Sequence, residues 1–127
     1  GDRLRAWAFD YMHSDIFGGE ANVTALVSPT TGVTAPAISE AAMQTGESNN
    51  PLVMNLTKFI FLGNFLGLPS LSVPAGADDN GLPVGFLLTG NHWSEASLLK
   101  IGNTLESELL ASTDAGAQAP KPPCYID

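Results

Sequence analysis

Covalent hydrolysis needs a nucleophile, a base beside it and a backbone device that presents the pair. Few residues of this sequence offer themselves for those roles. The histidines are His13 and His92, the one cysteine is Cys124, and the lysines are Lys58, Lys100 and Lys121. The histidines are far apart in the chain and no carboxylate pattern ties them together, so they are expected as isolated surface or helix-end residues rather than a dyad. No G-x-S-x-G elbow occurs, and no Cys–His pair flanks a glycine turn. Neither H-E-x-x-H nor C-x-x-C spacing is present, so no metal site is expected. No glycine-rich loop is suited to cradling phosphate, and no cofactor is expected.

The elements that would position a site follow from periodicity. Leu4, Trp7, Ala8, Tyr11, Met12 and Ile16 recur at helical spacing, with Asp2 placed to cap and Gly18-Gly19 placed to stop the helix. Val23 to Val27 is rich in β-branched residues and reads as a buried strand. Ser28-Pro29-Thr30-Thr31-Gly32 breaks the pattern. Thr34 to Asn50 reads as a long loop with a short helix near Glu40. Asn50-Pro51 starts a helix expected to run to about Leu66, with Gly67 closing it and Pro69 following. That helix is apolar nearly all round, which predicts burial on most sides. Asn64 within it is expected to be a structural group with a hydrogen-bond partner.

Ser70 to Val73 and Val84 to Leu88 read as strands joined through an Asp78-Asp79-Asn80-Gly81 turn. Ser94 is expected to cap a last helix with an apolar stripe of Leu98, Ile101, Leu105 and Leu109. Trp93 and Leu98 suit a hydrophobic staple there. The order of elements predicts an α/β fold with a mixed sheet flanked by helices. Residues 1–110 are expected to form the domain portion and residues 111–127 a flexible tail of Ala, Gly and Pro.

Composition narrows the partners. Charged residues are 14% of 127, below the ~25% usual in soluble domains. A surface so poor in charge is suited to burial against other protein. Thirteen acids against five bases give a net charge of -8, which excludes a basic stripe for nucleic acid. The Phe59 to Leu68 run is too short to cross a bilayer. Single-cysteine usage rules out an internal disulfide and favours an intracellular or organellar setting. No signal peptide is visible, and a start at Gly1 rather than Met is expected of a chain trimmed from a longer one. Sequons at Asn22-Val23-Thr24 and Asn55-Leu56-Thr57 are read as chance matches, the second because its helix is expected to be buried.

Three stretches carry a resemblance. They are Ala25-Leu26-Val27-Ser28-Pro29-Thr30-Thr31-Gly32-Val33-Thr34-Ala35-Pro36, then Leu62-Gly63-Asn64-Phe65-Leu66-Gly67-Leu68-Pro69-Ser70-Leu71-Ser72-Val73-Pro74-Ala75-Gly76. The third is Gly81-Leu82-Pro83-Val84-Gly85-Phe86-Leu87-Leu88-Thr89-Gly90, followed by Trp93, Glu95, Leu98 and Leu99. In order and spacing they resemble the C-terminal part of the amidase signature family, over about Leu4 to Leu110. The Pro-Thr-Thr-Gly-Val-Thr-Ala-Pro run and the Glu-Ser after Gly46 look most like the plant-type fatty acid amide hydrolase branch.

The resemblance implies an enzyme class whose Ser–cis-Ser–Lys triad lies upstream of anything in this sequence. No Gly-Gly-Ser-Ser run is present, and none of the three lysines matches the catalytic position. The chain alone is therefore expected to be inactive, with no catalytic residue of its own. Its expected contribution is fold and a wall of the substrate tunnel. The resemblance places Leu26, Thr30, Thr57, Phe61 and Trp93 at that wall, where apolar side chains suit an acyl chain at about 0.8 kcal/mol per buried methylene. Partners implied are the N-terminal amidase part and an acyl amide substrate such as an N-acylethanolamine. The alternative is a non-catalytic subunit, derived from an amidase, within a larger protein assembly.

Overall fold

The computed structural model describes residues 1–20 and 22–112, with side chains described through residue 108. The tail expected from residue 111, with Lys121 and Cys124, lies outside the described residues apart from the last residues of the final helix. The Leu109 side chain also lies outside them.

Helix α1 (Asp2–Asp10) passes directly into a π-helical segment (Tyr11–Phe17). Hydrogen bonding from i to i+5 stacks residues five apart, and this sets Met12 and Phe17 in one core with Leu66 and Leu68. Asp2 is the first helical residue, where its charge opposes the positive helix end, and Gly1 holds the capping position. The apolar stripe expected here splits in two. Ala8, Met12, Ile16 and Phe17 face the core, while Leu4, Trp7 and Tyr11 are exposed, Trp7 stacked on Tyr11 with ring centroids 5.6 Å apart.

Strands β1 (Ala25–Pro29), β2 (Ser70–Ala77) and β3 (Pro83–Gly90) form a sheet in the order β1-β3-β2. Both pairings are antiparallel, Leu26 lying opposite Thr89 and Thr89 opposite Ser70. Each strand is longer than or displaced from its sequence-based bounds, because ladder pairing extends through residues of low strand preference such as Pro29, Gly76 and Pro83. Pro74 sits on an edge strand beside a register shift, where its missing N–H costs no ladder bond.

Strand alternation assigns the side chains to two faces. Val27, Leu71, Val73 and Leu88 share one face, which carries helix α5 (Glu95–Ser112) through Leu98, Ile101 and Leu105. Leu88 has no exposed surface. Leu26, Ser28, Ser70, Ser72, Leu87 and Thr89 share the other face, where Leu26 packs against the Met12–Phe17–Leu66–Leu68 core. The α/β architecture with helices on both faces is thus present, and the strand pairs among the described residues are antiparallel.

The connection from β1 to β2 carries three short helices, α2 (Glu40–Thr45), α3 (Asn50–Leu56) and α4 (Phe61–Leu66). The helix near Glu40 is where it was expected, its cap Ser39 accepting the Ala42 N–H at 3.2 Å. The single helix expected from Asn50 to Leu66 is broken at Thr57–Ile60. The cap is Asn49, one residue earlier than expected, its Oδ1 accepting the Leu52 N–H at 3.1 Å. Gly67 closes α4 in the left-handed region at φ 70°, which glycine adopts without steric cost. The expected burial fails for this segment. Val53, Met54, Phe61 and Leu62 are exposed, and only Leu66 of α4 is buried. Three strands and the described helices supply too little surface to surround a helix that is apolar on every side.

Candidate functional site

The break between α3 and α4 shapes a concavity. The Thr57 hydroxyl donates to the Val53 carbonyl at 2.8 Å, and the Ile60 N–H donates to the Thr57 carbonyl at 3.3 Å, so the chain turns rather than continuing as one helix. One turn further on, Phe61 and Phe65 stack with centroids 5.5 Å apart and planes 11° from parallel. Thr57, Ile60, Phe61, Asn64 and Phe65 line an open groove of about 420 Å³. Its wall is mostly apolar, with the Thr57 and Asn64 side chains as polar flanks. Asn64 is exposed on this groove, which corrects the expectation of a buried structural amide.

Thr30 lies just beyond β1, and its N–H donates to the Gly85 carbonyl at 2.9 Å. Its hydroxyl oxygen is 2.7 Å from that of Ser72, across the bare Cα of Gly85. A Cβ at Gly85 would stand 2.8 Å from the Thr30 Oγ1 and 3.1 Å from the Ser72 Oγ. The Gly32 N–H donates to the Asn55 carbonyl at 3.0 Å, which fastens the loop after Thr30 to the end of α3, two residues before Thr57. Leu26 packs on the Met12–Phe17–Leu66–Leu68 core, as does the groove residue Phe65.

Of the five residues assigned to a binding wall, Thr57 and Phe61 share the groove, with Phe61 68% exposed. Leu26 and Thr30 are not among the residues lining it; Leu26 packs on the same core as Phe65, and Thr30 lies two residues before Gly32, whose N–H bonds the Asn55 carbonyl. Trp93 stands apart. It follows β3, whereas Thr30 pairs near the start of β3, roughly 17 Å away along the strand at ~3.3 Å per residue. Trp93 is 92% exposed, with a positive φ of 62°, so the staple with Leu98 does not form. Ser94 precedes α5 as expected, but its hydroxyl donates to the Asn91 carbonyl at 2.6 Å and closes the turn that leads into the helix.

The fold also joins the two histidines. His13 Nδ1 is 3.2 Å from Asn91 Oδ1, which accepts the His92 N–H at 2.9 Å. Phe9 lies against both imidazoles, 4.5 Å from that of His92. His92 Nε2 is 3.1 Å from the Leu66 carbonyl. A carbonyl only accepts, so Nε2 is the donor, and the buried Nδ1 has no hydrogen-bond partner among the described residues. The expectation of two isolated histidines is therefore corrected, because π-segment packing against the β3–α5 turn brings them within one cluster. This cluster braces α1, α4 and the start of α5, and it contains no nucleophile.

At the hairpin tip, the Asp78 carboxylate is held below the usual range, first by the Leu82 N–H, then by the Thr34 hydroxyl and Asn80. Among the described residues no group of three or more His, Cys, Asp or Glu could hold a metal ion, and no helix is long and apolar enough to cross a membrane.

Sequence reasoning missed Ser72, Ile60 and Phe65. Ser72 was legible in principle, since Ser70 and Ser72 alternate with Leu71 and Val73 and must share the polar face. Ile60 and Phe65 gave no signal, because an unbroken apolar helix hides which side lines a groove.

The α/β fold thus carries an open groove lined by Thr57, Ile60, Phe61, Asn64 and Phe65, with no charged side chain in its lining. The chain belongs to the amidase family, whose model matches residues 10–99. It is 43% identical over 96 residues to a fatty acid amide hydrolase of Oryza sativa subsp. indica, covering 76% of this chain and 15% of that protein. Identity is 40% over 103 residues to the fatty acid amide hydrolase of Arabidopsis thaliana, covering 81% of this chain and 16% of that one. The crystal structure of the native peptide amidase from Stenotrophomonas maltophilia superposes with a TM-score of 0.54 at 31% identity, covering 85% of this chain and 20% of that chain. The chain thus spans about a fifth or less of the length of these relatives.

Proposed function

We propose that this chain is the C-terminal segment of an acyl amide hydrolase acting on N-acylethanolamine-like substrates. In this reading it supplies fold and one wall of the substrate tunnel, and an N-terminal part supplies the Ser–Ser–Lys chemistry. Residues 1–110 act as the domain portion. The observation that carries the reading is the Thr57–Phe61–Phe65 groove, an exposed apolar wall in a chain of the amidase family. In this reading Leu26 and Thr30 belong to the same tunnel wall outside the groove's own lining, and Trp93 to a separate surface.

The groove suits an acyl chain by shape and polarity. Each methylene withdrawn from water onto Phe61 and Phe65 contributes about 0.8 kcal/mol. Thr57 spends its proton on the Val53 carbonyl and keeps acceptor capacity for a donor on the substrate. Exposed Met54, Phe61 and Leu62 need cover from further protein, which supports a larger enclosing body.

That same exposure favours a second reading, a non-catalytic subunit of a larger assembly derived from an amidase. Intact-mass analysis and peptide mapping of native material, followed by an N-acylethanolamine panel, separates the two. Co-isolation with a polypeptide bearing a Gly/Ser-rich signature, together with release of free amine, supports the hydrolase. Isolation among unrelated subunits with no amide hydrolysis overturns it.

A further inference from the structure

We propose that Asn80 is a site of intramolecular deamidation, latched by the Asp78 side chain, so that opening of the β2–β3 turn converts it to aspartate and isoaspartate. The proposal concerns the hairpin tip and is independent of the reading of the groove.

The reaction needs a small residue after the asparagine, because the next backbone nitrogen must reach the side-chain amide carbon. Glycine leaves that approach free of a Cβ. Asn80 precedes Gly81, whereas every other asparagine precedes a residue with a side chain, Val23, Leu56, Phe65 and Thr104 among them. Asn80 and Gly81 are both exposed. A Cβ at Gly81 would meet nothing within 4 Å, so no neighbouring group obstructs ring closure.

The step balances with water alone. Hydroxide takes the Gly81 N–H proton, the nitrogen attacks Asn80 Cγ, and the Cγ–Nδ2 bond breaks. The departing nitrogen takes a proton from water and leaves as ammonia. The succinimide then adds one water. Opening at Cγ gives aspartate, and opening at the main-chain carbonyl gives isoaspartate.

The folded turn holds this reaction back. The Gly81 N–H donates to the Asp78 carbonyl at 2.9 Å, so the proton to be lost is engaged. Asp78 Oδ1 accepts the Asn80 and Leu82 N–H groups, each at 2.9 Å, and the Asp78 N–H donates to the Leu82 carbonyl at 2.8 Å. These bonds fix the backbone on both sides of the Asn80–Gly81 peptide, with Gly81 at φ 77°. Closing a five-membered ring turns the torsions beside that peptide, so the turn must first open locally.

The product works against the turn. The Asn80 side-chain amide hydrogen-bonds the Asp78 carboxylate in the parent chain. Deamidation puts a carboxylate in place of that donor, beside Asp78 and Asp79, and like charges repel. Isoaspartate also routes the main chain through an extra carbon, which the bonds between Asp78 and Leu82 do not accommodate unchanged. The modified tip therefore stays open and loosens the tie from Asp78 to the Thr34 hydroxyl.

The test is incubation of the 127-residue chain in mildly alkaline buffer, with peptide mapping by mass spectrometry and isoaspartate measured by enzymatic methylation. Deamidation is expected at Asn80, slowly in the native chain and faster in urea. Asp78→Ala is expected to speed the native reaction by about fivefold or more, the loss of at least one net hydrogen bond. Asp78→Asn keeps an Oδ1 acceptor and is expected to stay near the parent rate. In urea the parent and Asp78→Ala are expected to converge, because no turn remains to hold. Amide exchange at Leu88 is expected to stay slow in Asp78→Ala, which separates opening of the tip from unfolding of the sheet. If another asparagine reacts first in urea, the site is refuted. If Asp78→Ala leaves the native rate unchanged with Leu88 still protected, the latch is refuted. Should Asp78→Ala unfold, the parent decides: equal rates in native buffer and in urea refute the latch, and a slower native rate supports it.

Discussion

Replacement of Gly85 by alanine tests the contact on which the hydroxyl pair depends, because two effects of opposite sign compete. Gly85 has ordinary strand backbone, so alanine gains about 0.5–1 kcal/mol from the smaller conformational freedom it loses on folding. Against that gain, the new Cβ stands 2.8 Å from Thr30 Oγ1, 3.1 Å from Ser72 Oγ and 3.4 Å from the Val73 carbonyl. Thr30 is branched at Cβ, so rotating its hydroxyl away brings another substituent toward the same space. Separating the pair costs about 1 kcal/mol of net hydrogen bonding, and crowding by one methyl adds about 1–3 kcal/mol. The clash wins, and Gly85→Ala is expected to lower stability by about 1–3.5 kcal/mol in urea unfolding followed by circular dichroism. The sign should reverse where the clash is removed. In a Thr30→Ala, Ser72→Ala background, Gly85→Ala is expected to stabilise by the glycine-to-alanine gain alone. An unchanged or raised urea midpoint for the single variant, or equal effects in both backgrounds, refutes the close approach.

The α5-covered core and the hairpin tip give two further expectations. Leu88→Ala removes a side chain with no exposed surface between Val73 and Leu98 and is expected to cost about 2–5 kcal/mol, read as a drop in urea midpoint at constant slope. Asp78 has its folded carboxyl pKa lowered from 3.8, so its contribution is present above that value and is lost as pH falls through the folded pKa. Amide exchange at Asn80 and Leu82 is therefore expected to accelerate on acidification below about pH 3.8 in the parent chain, and to be fast and pH-independent beyond the intrinsic chemistry in Asp78→Ala.

Much of the fold was legible because it is local. The Glu40 helix, the Asp78–Gly81 turn and the Gly67 helix end each depend on residues within a few positions of one another, through Ser39, Asp78 and a left-handed glycine. The motif order around Pro29, Pro69 and Pro83 was enough to place the family, since it records spacing rather than shape. Periodicity likewise located a helix from Leu4 onward and strands at Leu71 and Leu87. It could not assign their burial, because apolar spacing states which residues prefer cover and is silent on whether cover is present. Trp93 and Phe61 look like core residues in sequence and stand in the open here.

What only the tertiary structure decided is the meeting of distant positions. The Asn50–Leu66 segment breaks at Thr57–Ile60, and the groove is lined by residues of that break and of the turn after it. His13 and His92 join through Asn91 because the π-helical segment packs against the β3–α5 turn. Thr30 and Ser72 become one hydroxyl pair because β1 and β2 flank β3 in an order unlike their order in the chain, with Gly85 leaving the space between them. Local preferences act over a few residues and are written in the sequence. Pairing across a central strand depends on which segments bury surface together, and that becomes definite only when the whole sheet has formed.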